Sequence, residues 1–131
     1  MSLARLLVVK TIKDMKLINL TPHEINIHLG AVDYDTGKNV LVLPKAEVPA
    51  RCSTSLTFSG MVGERGNVPT FITDYGDVTG LPEPRKNTLL VVSFIVQNAL
   101  PERFDLATPG EAVRDADGKV IGCKGLNIRR R

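Results

Sequence analysis

From Ala50 to Phe58 the chain alternates without interruption. Ala50, Cys52, Thr54, Leu56 and Phe58 stand at even positions, and Arg51, Ser53, Ser55 and Thr57 at odd ones. A period of two is the side-chain period of a β-strand and cannot form one face of a helix. It predicts a strand whose even face, Cys52 included, points inward. Ile25, Ile27 and Leu29 alternate with Asn26 and His28 in the same way, after a short strand over Lys16 to Leu20 and a bend at Thr21-Pro22-His23-Glu24. Val40 to Leu43 is expected to pair back across Asp35-Thr36-Gly37-Lys38, and Pro44 ends it.

Further along, Gly60, Gly63 and Gly66 punctuate a loop or loose hairpin ahead of a strand at Val68 to Thr73. Tyr75-Gly76 and Gly80-Leu81-Pro82-Glu83-Pro84 mark an irregular link. Leu89 to Val92 is a continuous apolar run, the kind buried on both faces. Ser93 is placed to cap a short helix over Phe94 to Leu100, and Pro101 helps stop it. Glu111 to Arg114 and Lys119 to Cys123 pair across Asp115-Ala116-Asp117-Gly118. The pattern predicts a mainly β fold (β-rich α+β), a small barrel or sandwich of short strands with one short helix at about 93–100. Residues 1–14 read as a leader or start-site extension before Met15, 15–128 as a single β-rich domain, and 129–131 as a basic tail.

Charge narrows the partners. The chain carries +3 at pH 7, of which the three terminal arginines supply +3 and the first fifteen residues +2, leaving the segment 16–128 at −2. A nucleic-acid-binding surface collects its Lys and Arg on the folded face, so this placement argues against nucleic acid. Two cysteines are too few for a disulfide framework, and 131 residues suffice for one domain without a staple. No apolar run approaches the roughly 20 residues of a membrane span, and nothing resembles a signal peptide. The expected setting is cytoplasmic, with both thiols reduced.

The familiar chemical motifs fail on spacing. Gly37-Lys38 precedes Asn39, so there is no phosphate-binding loop, and Gly60, Gly63 and Gly66 do not match the dinucleotide fingerprint. Asp115-x-Asp117-Gly118 lacks the acidic residues of a calcium loop, with Val113 and Lys124 in their places. Gly122-Cys123-Lys124-Gly125 has the spacing of an RNA-binding clamp that joins two helices, but Val120-Ile121 reads as a strand, which favours a tight β turn. His23 and His28, five apart, point to opposite faces of a continuous strand and make poor shared ligands. No metal and no cofactor is expected. Ser93 lacks the glycines of a nucleophile elbow, and Cys123 lies in an apolar strand where a thiol acts as a small hydrophobe. Glu102, Arg103, Asp105, Glu111, Arg114, Asp115 and Asp117 form a dense polar cluster. It reads first as an ion-pair network pinning the helix exit to the last hairpin, and second as a recognition patch.

One resemblance runs through these residues. Ile18-Asn19-Leu20-Thr21-Pro22-His23-Glu24-Ile25, Val48-Pro49-Ala50-Arg51-Cys52-Ser53, Tyr75-Gly76 and Gly80-Leu81-Pro82 carry its first half. Val91-Val92-Ser93, Pro101, Arg103, Asp105, Pro109-Gly110, Val113-Arg114-Asp115, Gly118 and Val120-Ile121-Gly122-Cys123 carry its second. Over 16–126 the chain resembles a family of small uncharacterised proteins encoded by bacteria and their phages or prophages. The resemblance implies a bacterial or phage-infected cytoplasm and supplies no catalytic residue. The motif positions it marks for a ligand or partner patch are His23, Arg51, Arg103, Asp105, Arg114, Asp115 and Cys123. With no catalytic constellation legible, the expected function is non-enzymatic association with a protein partner or with the chain's own copy. The alternative is a small-ligand or enzymatic site near His23, Arg103, Asp105 and Arg114.

Overall fold

The computed structural model describes residues 14–30 and 37–130; the leader expected before Met15 and the turn at Asp35-Thr36 lie outside the described residues, Asp14 excepted. The elements are β1 (Lys16–Asn19), β2 (Ile25–His28), β3 (Val40–Leu43), β4 (Arg51–Val62), β5 (Val68–Thr79) and β6 (Thr88–Val91). They continue with α1 (Phe94–Ala99), β7 (Leu106–Pro109), β8 (Ala112–Arg114), β9 (Val120–Cys123) and β10 (Leu126–Ile128). Among the described residues the fold is mainly β with one short helix.

Two four-stranded sheets make the body. The first has the order β1-β6-β7-β10 and the second β3-β2-β9-β8. β6 runs parallel to both β1 and β7, which places it inside its sheet. Its Leu89-Leu90-Val91 run, extended by Val92, alternates between two apolar clusters. Val91 faces Ile25, Ile27, Leu43 and Cys123 of the second sheet. Leu90 and Val92 face the opposite way, onto Val96 of the helix, Leu106 and Ala50. Leu90, Val91 and Val92 are at most 1% exposed. An unbroken apolar strand is what a sheet covered on both faces requires, and here the covers are the second sheet and the helix.

The helix begins where Ser93 accepts from Val96 N–H at 3.3 Å, with an extended N-cap backbone. Its other end is held by a residue that charge alone assigns to a tail. The Arg129 guanidinium donates to Leu100 O at 3.0 Å and to Gln97 O at 2.9 Å. A cation on the last carbonyls of a helix satisfies acceptors that have no partner within it. Arg129→Ala is therefore expected to destabilise the chain by about 1–2 kcal/mol in urea titrations, with Arg130→Ala near neutral.

The third sheet departs from expectation. Among the described residues β4 and β5 pair only with each other, antiparallel over twelve residues each. At roughly 3.3 Å per residue, the ribbon is about 40 Å long. Only its base joins the body, through Cys52 and Val78 in the cluster around Val92 and Val96. Beyond that, Leu56, Phe58, Phe71 and Ile72 are more than half exposed. The inward face predicted for 50–58 holds at Ala50 and Cys52, which pack on the body, and is corrected beyond them. A bulge on β5, where Gly76 and Asp77 stand opposite Ser53, leaves the alternation of β4 intact, so Cys52, Thr54 and Leu56 share one face with Val78, Tyr75 and Thr73. Among the described residues that face is uncovered from Leu56 onward. Tyr75-Gly76 is part of β5 and not a link; a Cβ on Gly76 would lie 2.2 Å from Ser53 Oγ, so the glycine permits the bulge that it and Asp77 form opposite Ser53.

Candidate functional site

Where the β1–β2 bend meets the helix start and the β8–β9 hairpin, a cleft of about 630 Å³ opens between His23, Asn26, Phe94, Ile121 and Cys123. Its walls are mostly apolar. Cys123 is 5% exposed and packs against Ile25 and Ile27 in the core, so its thiol serves as a small apolar side chain. Two of the polar side chains at the rim are committed to structure. Ser93 caps the helix, and Thr21 belongs to a buried knot centred on Asn19.

That knot explains the bend. Asn19 Oδ1 accepts from Thr21 N–H at 2.9 Å and lies 2.7 Å from Thr21 Oγ1. Its Nδ2 donates to His23 O at 2.8 Å and Pro44 O at 3.0 Å, with Leu43 O at 3.3 Å sharing a proton. The side chain thus closes an Asx turn and ties it to the end of β3. His23 contributes its carbonyl, whereas its imidazole side is exposed at the cleft. Asn19 was not among the residues singled out from the sequence. The signal available was an Asn two residues before a Thr-Pro pair, a turn-forming arrangement.

The remaining marked residues do not converge on the cleft. Arg103 Nε and Nη2 bind Asp105 Oδ1 and Oδ2 at 2.8 and 2.7 Å, and Nη2 also donates to Pro82 O at 3.1 Å. This fork closes the link from the helix to β7 and anchors it to the loop after β5. Arg114 donates to Gly118 O at 2.8 Å, and Asp115 Oδ1 accepts from the amides of Asp117 and Lys119 at 2.9 and 3.0 Å. Glu111 lies 3.6 Å from Lys124 on an exposed edge. The single network expected from 102–117 is therefore replaced by separate local contacts, because β7 runs between Arg103, in the link that precedes it, and Arg114, at the end of β8. Arg51 stands exposed at the ribbon base, opposite Thr79. Among the described residues no group of three His, Cys, Asp or Glu is placed to hold a metal ion, and no helix is long and apolar enough to cross a membrane.

The Arg103 hydrogen bond holds the Asp105 carboxyl below the ordinary carboxylate range against the opposing effect of burial, and the same bond raises the guanidinium. A depressed folded-state value means that the pair's contribution is complete above the unfolded value near pH 4 and is lost as pH falls through the lower folded one. Asp105→Asn should cost about 1 kcal/mol at pH 7 and flatten the acid-side loss of stability, measured by urea titrations at pH 7 and pH 3.

No protein-family model, curated protein or solved structure matches the chain.

Proposed function

We propose that this protein is a non-enzymatic association module whose working part is the β4–β5 ribbon. The observation that carries the reading is a forty-ångström two-stranded sheet presenting Leu56, Phe58, Met61, Phe71 and Tyr75 at 42–67% exposure. A lone two-stranded sheet is marginal in water. Five large apolar side chains at that exposure present roughly 500 Å² of apolar surface, comparable with the largest patch on a typical monomer and usually a contact surface. The marked charged residues support the same conclusion, since Arg103, Asp105, Arg114 and Asp115 are engaged in local structural bonds. The family resemblance supports a bacterial or phage cytoplasmic setting. The test combines light scattering of the purified chain with affinity capture from host cells. Association that disappears on replacing 55–73 by a short turn supports the reading; a strict monomer with no ribbon-dependent capture overturns it.

A second reading rests on the cleft, whose volume lies in the range of small-molecule sites, roughly 300–1,000 Å³. It would take a small apolar ligand between Phe94 and Ile121 with His23 and Asn26 fixing its orientation. An apolar fluorescent dye should bind there and be displaced by Ile121→Arg; equal dye binding by the variant removes the reading.

A further inference from the structure

We infer that the occupant of the ribbon's apolar face is a second copy of this chain, packed ribbon on ribbon about a two-fold axis; this rests on the association reading above. Three features of the ribbon support a partner like itself. The first is how the two faces are divided. Directly opposed residues share a face, so Phe58 with Phe71, Leu56 with Thr73, Thr54 with Tyr75 and Met61 with Pro69 lie together. Phe58 and Phe71 meet edge to face with centroids 6.0 Å apart. This face carries no charge between Tyr75 and Met61. The opposite one carries Asp74, hydrogen-bonded to Thr57, among Ser55, Thr70 and Ile72. At the base it is the apolar face that continues, through Cys52 and Val78, onto the body. Beyond that base, from Tyr75 and Leu56 to Met61, the apolar face is exposed and open to a neighbour.

The second feature is charge. An uncharged stripe laid on its own copy puts no like charges opposite each other. A two-fold axis across the ribbon sets the two hairpins antiparallel, base to tip. The third feature is area. Roughly 500 Å² of apolar side chain from each copy gives about 1,000 Å² before the backbone and the rim are added, which reaches the size of a specific interface. The right-handed twist of a two-stranded ribbon lets the two wrap without separating.

The experiment compares the full-length chain with Phe71→Asp and Ile72→Asp, adjacent and similarly exposed residues on opposite faces, by multi-angle light scattering over a concentration series. Circular dichroism verifies that both variants keep a folded body. The wild type and Ile72→Asp are expected at twice the 14.3 kDa of one chain, and Phe71→Asp at one chain, with a dissociation constant raised about a hundredfold. Loss of the dimer in Ile72→Asp with retention in Phe71→Asp overturns the face assignment. A wild-type monomer overturns the second copy as occupant. If such a monomer still captures another protein through Phe71, the association reading survives; if it captures none, that reading fails too.

Discussion

Asn19→Ala is expected to destabilise the protein by about 3–5 kcal/mol in urea unfolding, from the loss of several buried hydrogen bonds at about 1 kcal/mol each. Asn19 is 8% exposed, so groups stripped of it are not simply handed to water. Truncation leaves the Thr21 amide and the Leu43 and Pro44 carbonyls without the Asn19 amide, while His23 O keeps only the Thr21 hydroxyl. The loss is a large fraction of the roughly 5–15 kcal/mol available to a domain. Asn19→Asp separates hydrogen bonding from cavity formation. It keeps the shape and the acceptor toward Thr21 but turns an oxygen toward three carbonyls, so it should be at least as damaging as Ala. An Asp variant close to wild type in stability contradicts the account of the bend.

Gly122→Ala is expected to cost roughly 3 kcal/mol or more, unusually high for a single added methyl. A Cβ built on Gly122 lies 2.5 Å from Asn26 O and 2.5 Å from Cδ2 of the His28 ring. The ring can rotate, but the carbonyl belongs to β2 and cannot retreat without opening the parallel contact where Ile27 meets Cys123. That contact joins the β8–β9 hairpin to the rest of the second sheet. His28→Ala relieves only the ring, so the double variant should recover a minor part of the loss. Thermal melts of the three variants decide this, and full rescue by His28→Ala contradicts the backbone account.

Local chemistry made much of the body legible. The period of Ile25 to His28, the Asp-Gly hairpin turn, the Ser93 cap and the apolar run before it are each set by neighbours a few residues away, and the structure places them accordingly. What stayed hidden depends on distant pairing. The bulge at Gly76-Asp77, opposite Ser53, shifts which β5 residues share a face, yet it leaves no mark in the sequence of either strand. Leu56 and Phe58 look like core residues from their spacing; only the lack, among the described residues, of a layer packed on their face leaves them uncovered. Arg129 reads as tail charge until the helix end lies beside it. The acidic and basic residues of 102–117 cluster in sequence but are separated by strand direction. Asn19 carries its role in a short turn pattern, an Asn two residues before Thr-Pro, with no charge to mark it.

The division between a self-sufficient body and a ribbon that needs a companion is most directly tested by hydrogen exchange at two concentrations. At about 100 μM, amides of 55–73 should be protected alongside those of Leu89 to Val92. On dilution below about 1 μM, the ribbon amides should exchange far faster while the β6 amides keep their protection. Ribbon amides equally protected at both concentrations would contradict the account.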